Sequence, residues 1–178
     1  MQTRASGVGK YTAAEKIMRV LYNGIFIPIT MAFYPKISEL ARNSRNEAIF
    51  LIRKILIATI FFMIIIFFVL FFLSNDLMQF LGKDYAGMEN LFKIMAILPL
   101  FIAVGGVCGQ LGLLAFGGKQ DKKRYQQVYF VAAAVAIFSV FILTPFYKSI
   151  GAAISLLITE IIVCILMIYN YKKLKVFS

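Results

Sequence analysis

The stretch ILIATIFFMIIIFFVLFFL, residues Ile55–Leu73, contains no charged side chain and consists almost entirely of aliphatic and aromatic residues. A helix that rises 1.5 Å per residue needs about 20 residues to cross a hydrocarbon layer about 30 Å thick, and this run has that length. It lacks the alternation of apolar and polar residues that is typical of barrel strands. The stretch therefore predicts a transmembrane α-helix, in which backbone groups find their partners within the segment.

The whole chain has the composition of a membrane protein. Of its 178 residues, 61% are hydrophobic and 15% are charged, whereas a soluble domain has roughly 45–50% apolar and 25% charged residues. The mean hydropathy is +0.85, which leaves too few polar residues to cover a soluble surface. We therefore expect an all-α integral membrane protein.

Four more stretches have a similar apolar character. Ile94–Gly118 and Tyr125–Tyr147 are uncharged, and Ser149–Tyr171 is interrupted only by Glu160. The uncharged part of the first candidate, Val20–Tyr34, has about 15 residues, so it spans a membrane only if the cations before it extend to the interface or face a cavity. We predict five transmembrane helices, at approximately residues 15–35, 55–73, 94–117, 125–147 and 149–171.

The positive charges indicate how these helices are oriented. The chain has 19 Lys and Arg residues against 8 Asp and Glu residues, a net charge of +11. Twelve cations lie in Pro35–Lys54, in Lys119–Arg124 and in the tail from Lys172, whereas the connections on the other side carry Lys83 and Lys148. Because cytoplasmic loops are enriched in Lys and Arg, we predict a multi-pass protein with a cytoplasmic C-terminus. Contact with anionic lipid headgroups is a second use for these basic segments.

The N-terminal segment disagrees with this orientation. Five spans that end in the cytoplasm place residues 1–19 outside, yet this segment carries Arg4, Lys10, Lys16 and Arg19, which resist export. A preceding helix would remove the conflict. We therefore expect the chain to be the C-terminal part of a longer protein.

The residue types exclude most enzyme chemistry. The chain contains no histidine, so it has no His-ligated metal, no Ser-His-Asp triad and no Cys-His dyad of its own. The acidic residues outside the spans are scattered, without the spacing of a catalytic pair, and Cys108 and Cys164 lie in uncharged stretches. The cations flank apolar spans, and no nucleic-acid-binding module is recognisable. We predict no catalytic residue, metal, cofactor or nucleic-acid partner.

Three stretches resemble a known family. They are VGKYTAAEKIMRVLYNGIFIPITMAFYPKISEL at Val8–Leu40, AFGGKQDKKRYQ at Ala115–Gln126 and GAAISLLITEIIVCILMIY at Gly151–Tyr169. In their order and spacing they resemble the bacterial polysaccharide, or O-antigen, flippases of the multidrug/oligosaccharidyl-lipid/polysaccharide exporter superfamily. The resemblance covers nearly the whole chain.

The resemblance implies that residues 1–178 are a C-terminal lobe fragment, whose five spans correspond to helices 8–12 of a twelve-helix transporter. It implies a non-enzymatic flippase that moves undecaprenyl-diphosphate-linked oligosaccharide repeat units across the bacterial inner membrane for O-antigen, capsule or exopolysaccharide synthesis. The implied partners are the lipid-linked oligosaccharide, membrane lipids and an N-terminal lobe on another chain. Two alternatives stay open: a multidrug or cation antiporter of the same superfamily, and an inactive product of a truncated gene.

Polar residues in and beside the first span are candidate ligands for the cargo. Lys16, Arg19 and Asn23 follow helical spacings and lie near one helix face. A charge within a membrane segment costs about 2.5–3.5 kcal/mol on insertion scales, so such residues tend to face a cavity. We predict that these three residues bind the cargo, with Arg19 able to grip diphosphate oxygens through two donors. The alternative is an ordinary interfacial ion pair between Glu15 and Arg19.

Glu160 lies near the centre of the last span, where a carboxylate is costly unless it is paired, protonated or hydrated. Three roles are open for this residue. It binds a coupling proton or cation, it pairs with a cation such as Lys93 or Arg19, or it orients a neighbouring helix.

Prolines and glycines mark candidate hinges. Pro28 and Pro99 interrupt spans, and Gly105 and Gly109 have the spacing of a small-residue contact. Transporters use such positions as hinges and as places where backbone lines a cavity. For the two glycines we favour the alternative, which is close helix packing.

Overall fold

The computed structural model of the chain describes residues 7–76 and 89–176, and nearly all of these residues are helical. No strand occurs among them, and four helical stretches in this part of the chain are long and apolar enough to cross a membrane. The predicted all-α membrane class is therefore confirmed. The elements are α1 (Gly7–Asn43), α2 (Arg45–Phe72), α3 (Glu89–Met95), α4 (Leu98–Gly106), a π-helical segment (Val107–Phe116) and α5 (Lys119–Val176).

The basic segment expected to be a loop after the first span is helical almost throughout. α1 continues to Asn43 and α2 begins at Arg45, so Ser44, with φ −151° and ψ 86°, makes the connection. The two helices form an antiparallel pair, because Ile29 and Thr59, equally far from Ser44 in the sequence, line the same cleft. The helices continue beyond the hydrocarbon length because Lys, Arg, Glu and Leu are good helix formers.

The stretch Glu89–Phe116, which we call the central span, contains α3, α4 and the π-helical segment. Each of the other long helices packs against it. In its most apolar part 61% of the residues are buried, against 17% in α1 and 22% in α2. The central span turns at Ala96 and Ile97. Pro99 then stands in the first turn of α4, where the N–H that proline lacks would have no helical partner.

α5 turns back on itself at Lys148, whose φ of 52° and ψ of −126° break the helical path. We call residues 119–147 the first arm and residues 149–176 the second arm. The arms pack antiparallel, since Ala136 of the first and Thr159 of the second line one cavity. The apolar stretch Lys119–Leu174, 56 residues long, thus contains both of the last two predicted spans.

Three segments of the chain meet at one end of the bundle, which we call the basic end. Nη2 of Arg45 donates a hydrogen bond of 3.1 Å to the Leu174 carbonyl, and its guanidinium lies 4.9 Å from the centre of the Phe116 ring. The basic segments that predict a cytoplasmic side therefore lie together. Arg4 and Lys83, two of the cations that bear on the predicted orientation, lie outside the described residues.

Candidate functional site

A polar groove lies between α1, the central span and the two arms of α5. It consists of two adjoining cavities of about 350 Å³ and 140 Å³, and Tyr22, Ile102 and Glu160 line both of them. The groove is a place within the bundle where polar side chains from several helices come together. The polar residues that line it are Glu15, Arg19, Tyr22, Asn23, Gln110, Tyr129, Thr159 and Glu160.

The smaller cavity brings together two of the three residues predicted to bind cargo. Arg19 and Asn23, about one helical turn apart on α1, both line it. Nε and Nη2 of Arg19 donate hydrogen bonds of 2.9 Å and 2.7 Å to one carboxylate oxygen of Glu15. Lys16 is exposed and lines neither cavity. The ion pair considered as an alternative is therefore present, and it lies at the groove.

Glu160 of the second arm lies where the two cavities meet. Among the described residues its carboxylate accepts no hydrogen bond and has no ion-pair partner at salt-bridge distance. Arg19 attracts it electrostatically across the groove. Lys93 points elsewhere, with Nζ 5.9 Å from the centre of the Phe71 ring. A carboxylate that lines a cavity without a close partner is available to a bound cation or proton.

Four polar residues of the groove, Tyr22, Gln110, Tyr129 and Thr159, were missed by the sequence analysis. Gln110 is the amide side chain in the uncharged run Ile94–Gly118, so the criterion that singled out Glu160 would also have found it. Tyr22 and Tyr129 gave no such signal, because tyrosine is common at membrane interfaces. The fold brings them to one cavity from α1 and from the first arm.

Pro28 does not interrupt its helix, since α1 runs unbroken from Gly7 to Asn43. A proline ring in a helix crowds the carbonyl four residues earlier, which here belongs to Gly24, and α1 accommodates the ring without a break. Nearby, the Thr30 hydroxyl donates to the Ile27 carbonyl at 2.9 Å and is buried away from the groove. A hinge role for Pro28 stays a prediction.

Gly105 and Gly109 lie where the central span packs closely on α5. A Cβ atom at Gly105 would lie 3.3 Å from Cα of Cys164, and one at Gly109 would lie 2.8 Å from the Tyr125 ring. Small residues allow such close approach between helices in a membrane. The geometry fits the packing interpretation, and a hinge role for either glycine, or for Pro99, stays a prediction.

Three curated proteins match most of this chain. Two are named "Putative O-antigen transporter", from Escherichia coli (strain K12) and Shigella dysenteriae, and are 30% and 29% identical to it over 92% and 93% of its length. The third, "Capsular polysaccharide biosynthesis protein CapF" from Staphylococcus aureus, is 29% identical over 93% of the chain. The chain is a homologue of part of these proteins.

The match confirms the resemblance that the sequence suggested, in that the relatives are named for O-antigen transport and for capsular polysaccharide biosynthesis. The chain spans 39%, 40% and 42% of the lengths of the three relatives, which is about two fifths of each. No family model and no solved structure matches it. The apolar helices and the relatives together identify a membrane protein, and two of the relatives are named as transporters rather than enzymes.

Proposed function

We propose that the chain forms one wall of a pathway that moves oligosaccharides linked to undecaprenyl diphosphate across the bacterial inner membrane, with its C-terminus in the cytoplasm. The observation that carries the proposal is the polar groove, where Arg19, Asn23 and Glu160 from two helices line one cavity. The names of the relatives supply the class of cargo. The proposal describes transport without chemical change of the cargo.

Arg19 is the residue that we propose contacts the diphosphate. Its side chain is 67% exposed, so it can reach a ligand while Glu15 holds it from one side. A guanidinium presents five N–H donors, and Glu15 accepts from only two of the three nitrogens. The remaining donors can bind phosphate oxygens, for which charge-assisted bonds from arginine are well suited.

The larger cavity suits the uncharged sugar portion. Tyr22 and Tyr129 bring hydroxyl groups, and Gln110 brings an amide, to the same cavity. These groups both donate and accept hydrogen bonds, as sugar hydroxyls do. Glu160 separates this region from the Arg19 region, so the two cavities together match a cargo with one charged and one neutral part.

The groove needs a second wall. Asn23, Tyr129 and Ala133 line it and are exposed, so this chain leaves one side of the groove uncovered. We propose that further helices, on the same polypeptide or on another chain, complete the pathway. The share of the relatives that this chain spans, about two fifths, supports this view.

The test is complementation of an Escherichia coli strain that lacks its own O-antigen transporter, with the protein expressed from its complete gene and surface polysaccharide measured. We expect Arg19→Ala to lower the surface polysaccharide about tenfold or more, because a charge-assisted bond is worth roughly 1.5–3 kcal/mol. Lys16 was also predicted from the sequence to bind cargo, but it lines neither cavity, so Lys16→Ala, which removes the same charge, should stay within about twofold of the unaltered protein. Equal losses in the two variants, or no loss for Arg19→Ala, would contradict the proposal.

Glu160 is proposed to bind the coupling proton or cation. Glu160→Gln keeps the size of the side chain and removes its charge, so we expect the variant to lose the pH dependence of transport together with most of its rate. Glu47→Gln makes the same chemical change at an exposed acid of α2 that lies outside both cavities, and it serves as the control. Unchanged rate and pH dependence in Glu160→Gln would show that the carboxylate has no coupling role.

One observation favours a second candidate function, export of cations by antiport. The charged residues that line the groove are two acids, Glu15 and Glu160, and one cation, Arg19. Cells that express an antiporter should accumulate less of a cationic dye, and Glu160→Gln should restore accumulation. If the protein restores surface polysaccharide but does not change accumulation of the dye, the antiport function is excluded and the first proposal is supported.

A further inference from the structure

A second polar cavity, of about 330 Å³, lies at the basic end of the bundle. Its residues come from the start of α2 and from both arms of α5, and Lys173 stands more than three helical turns beyond Glu160 of the groove. Three cations and one acid line it. The lining residues are Arg45, Gln120, Asp121, Arg124, Lys173 and Leu174.

Arg45 is held in place at this cavity by two contacts. It donates from Nη2 to the Leu174 carbonyl at 3.1 Å, and the guanidinium lies over the Phe116 ring at 4.9 Å. A cation over an aromatic face is attracted by the ring, which also restricts its orientation. These contacts use one nitrogen, so further N–H donors of Arg45 can bind a ligand.

The other two cations are also positioned by the fold. Nη1 of Arg124 donates to Asp121 at 3.1 Å, and Nζ of Lys173 lies 4.5 Å from the centre of the Tyr169 ring. The Asp121 carboxylate also accepts a hydrogen bond of 2.9 Å from the Gly118 amide. The Asp121 carboxylate therefore already has two partners. Because it is one acid against three cations, the cavity carries more positive than negative charge.

We propose that this cavity binds a phosphate group, carried by an anionic phospholipid or present as a soluble phosphate. Three cations from separate segments repel one another, and a bound anion relieves that repulsion. Arg45 and Arg124 supply planar donors that fit phosphate oxygens, and Lys173 supplies a point charge. The cavity lies where apolar helices end, which is the depth of lipid headgroups. The proposal is independent of the cargo assigned to the groove.

Ligand binding to the protein purified from membranes tests this proposal. The protein is titrated with phosphatidylglycerol, with phosphatidylcholine as the zwitterionic reference, or with inorganic phosphate, and bound ligand is counted by native mass spectrometry. The cavity variant combines Arg45→Gln, Arg124→Gln and Lys173→Gln. The control variant combines Arg53→Gln, Lys122→Gln and Lys123→Gln, which remove the same charge from exposed positions outside the cavity.

We expect the cavity variant to bind phosphatidylglycerol or phosphate about tenfold more weakly and the control variant to stay within about twofold, because charge-assisted bonds require defined geometry. A difference seen with the phospholipid but not with inorganic phosphate identifies a headgroup site, and the reverse identifies a soluble phosphate. Equal weakening in both variants would show diffuse attraction to a basic surface and would overturn the proposal. No weakening in the cavity variant would overturn it as well.

A milder pair of variants keeps the test valid if the triple variant does not fold. Lys173 lines the cavity and is half-buried, whereas its neighbour Lys172 is exposed and lies outside the lining. We expect Lys173→Gln to weaken phosphate-group binding about threefold and Lys172→Gln to leave it unchanged. Equal effects at the two positions would overturn the proposal.

Discussion

α2 and the central span are both apolar enough to cross a membrane, yet they occupy opposite places in the bundle. α2 is the more hydrophobic of the two, with a mean hydropathy of 3.3 against 2.3 in its most apolar part. It is nevertheless the less buried, at 22% against 61%. In a water-soluble protein the more hydrophobic helix would be expected at the centre. Hydrophobicity therefore does not decide which helix is buried in this bundle.

The reason is the different solvent. Lipid chains are as apolar as leucine, so helices in a membrane associate through close packing and polar contacts. The central span offers glycines on which neighbouring rings rest: Phe26 on Gly106 and Tyr171 on Gly112. α2 offers phenylalanines instead, and Phe61 and Phe72 are 67% and 69% exposed. Small residues therefore place the central span inside, and large ones leave α2 at the lipid.

The largest effect that tests this comparison is expected from Gly109→Leu. A Cβ atom there would already lie 2.8 Å from the Tyr125 ring and 3.1 Å from the Met167 sulfur. Overpacking of a tight contact costs roughly 1–3 kcal/mol, and we expect about 3 kcal/mol because two neighbours must move. The free energy of unfolding, measured by titration with a denaturing detergent, checks this value.

Gly24→Leu is the matched control for that variant, because the Cβ position of Gly24 has no atom within 4 Å. Leucine is a better helix former than glycine, so we expect the free energy of unfolding to stay unchanged or to rise by up to about 1 kcal/mol. Similar losses at Gly24 and Gly109 would mean that the loss at Gly109 does not come from its close packing. In that case the small size of the glycines would not explain why the central span is buried and α2 is exposed.

An intermediate effect is expected from removing one buried ring. Phe26 is 1% exposed and packs on Gly106, so Phe26→Ala leaves a cavity of roughly 100 Å³ at the centre of the bundle. At about 24 cal/mol per Å³ the loss is about 2 kcal/mol. Phe61→Ala deletes the same atoms from the lipid-facing side of α2, and we expect less than about 0.5 kcal/mol there. If the two deletions cost the same, burial within the protein is not what distinguishes the two regions.

The sequence predicted the all-α membrane class, because the length of an uncharged run can be read directly from the residues. The length of uncharged runs did not predict that α1 and α2 continue to Ser44, because it measures hydropathy and ignores the helix propensity of the charged residues that follow. The sequence predicted Arg19, Asn23 and Glu160 as site residues, because charged and amide side chains are rare in or beside apolar stretches. It missed Tyr22 and Tyr129 because their meeting in one cavity depends on how α5 folds back, which no local pattern encodes.

The smallest effect is expected at the turn that places α5 over the central span. Lys148 adopts φ 52° and ψ −126°, a region that glycine enters easily and that side chains with a Cβ atom avoid. Such strain costs of order 1–3 kcal/mol, while glycine loses about 0.5–1 kcal/mol through the greater freedom of the unfolded chain. We therefore expect Lys148→Gly to raise the free energy of unfolding by about 1 kcal/mol.

Two further substitutions at this turn separate strain from charge. Lys148→Ala removes the charge but keeps the Cβ atom, so it should bring no gain in stability. Lys148→Asn should bring little, because asparagine favours the left-handed helical region near ψ +47°, far from the ψ of −126° found here. If alanine stabilises as much as glycine, the gain comes from removing a lysine near the membrane surface. In that case the conformation of the turn does not determine the position of α5 over the central span. The packing of α5 on the glycines of the central span would then determine it.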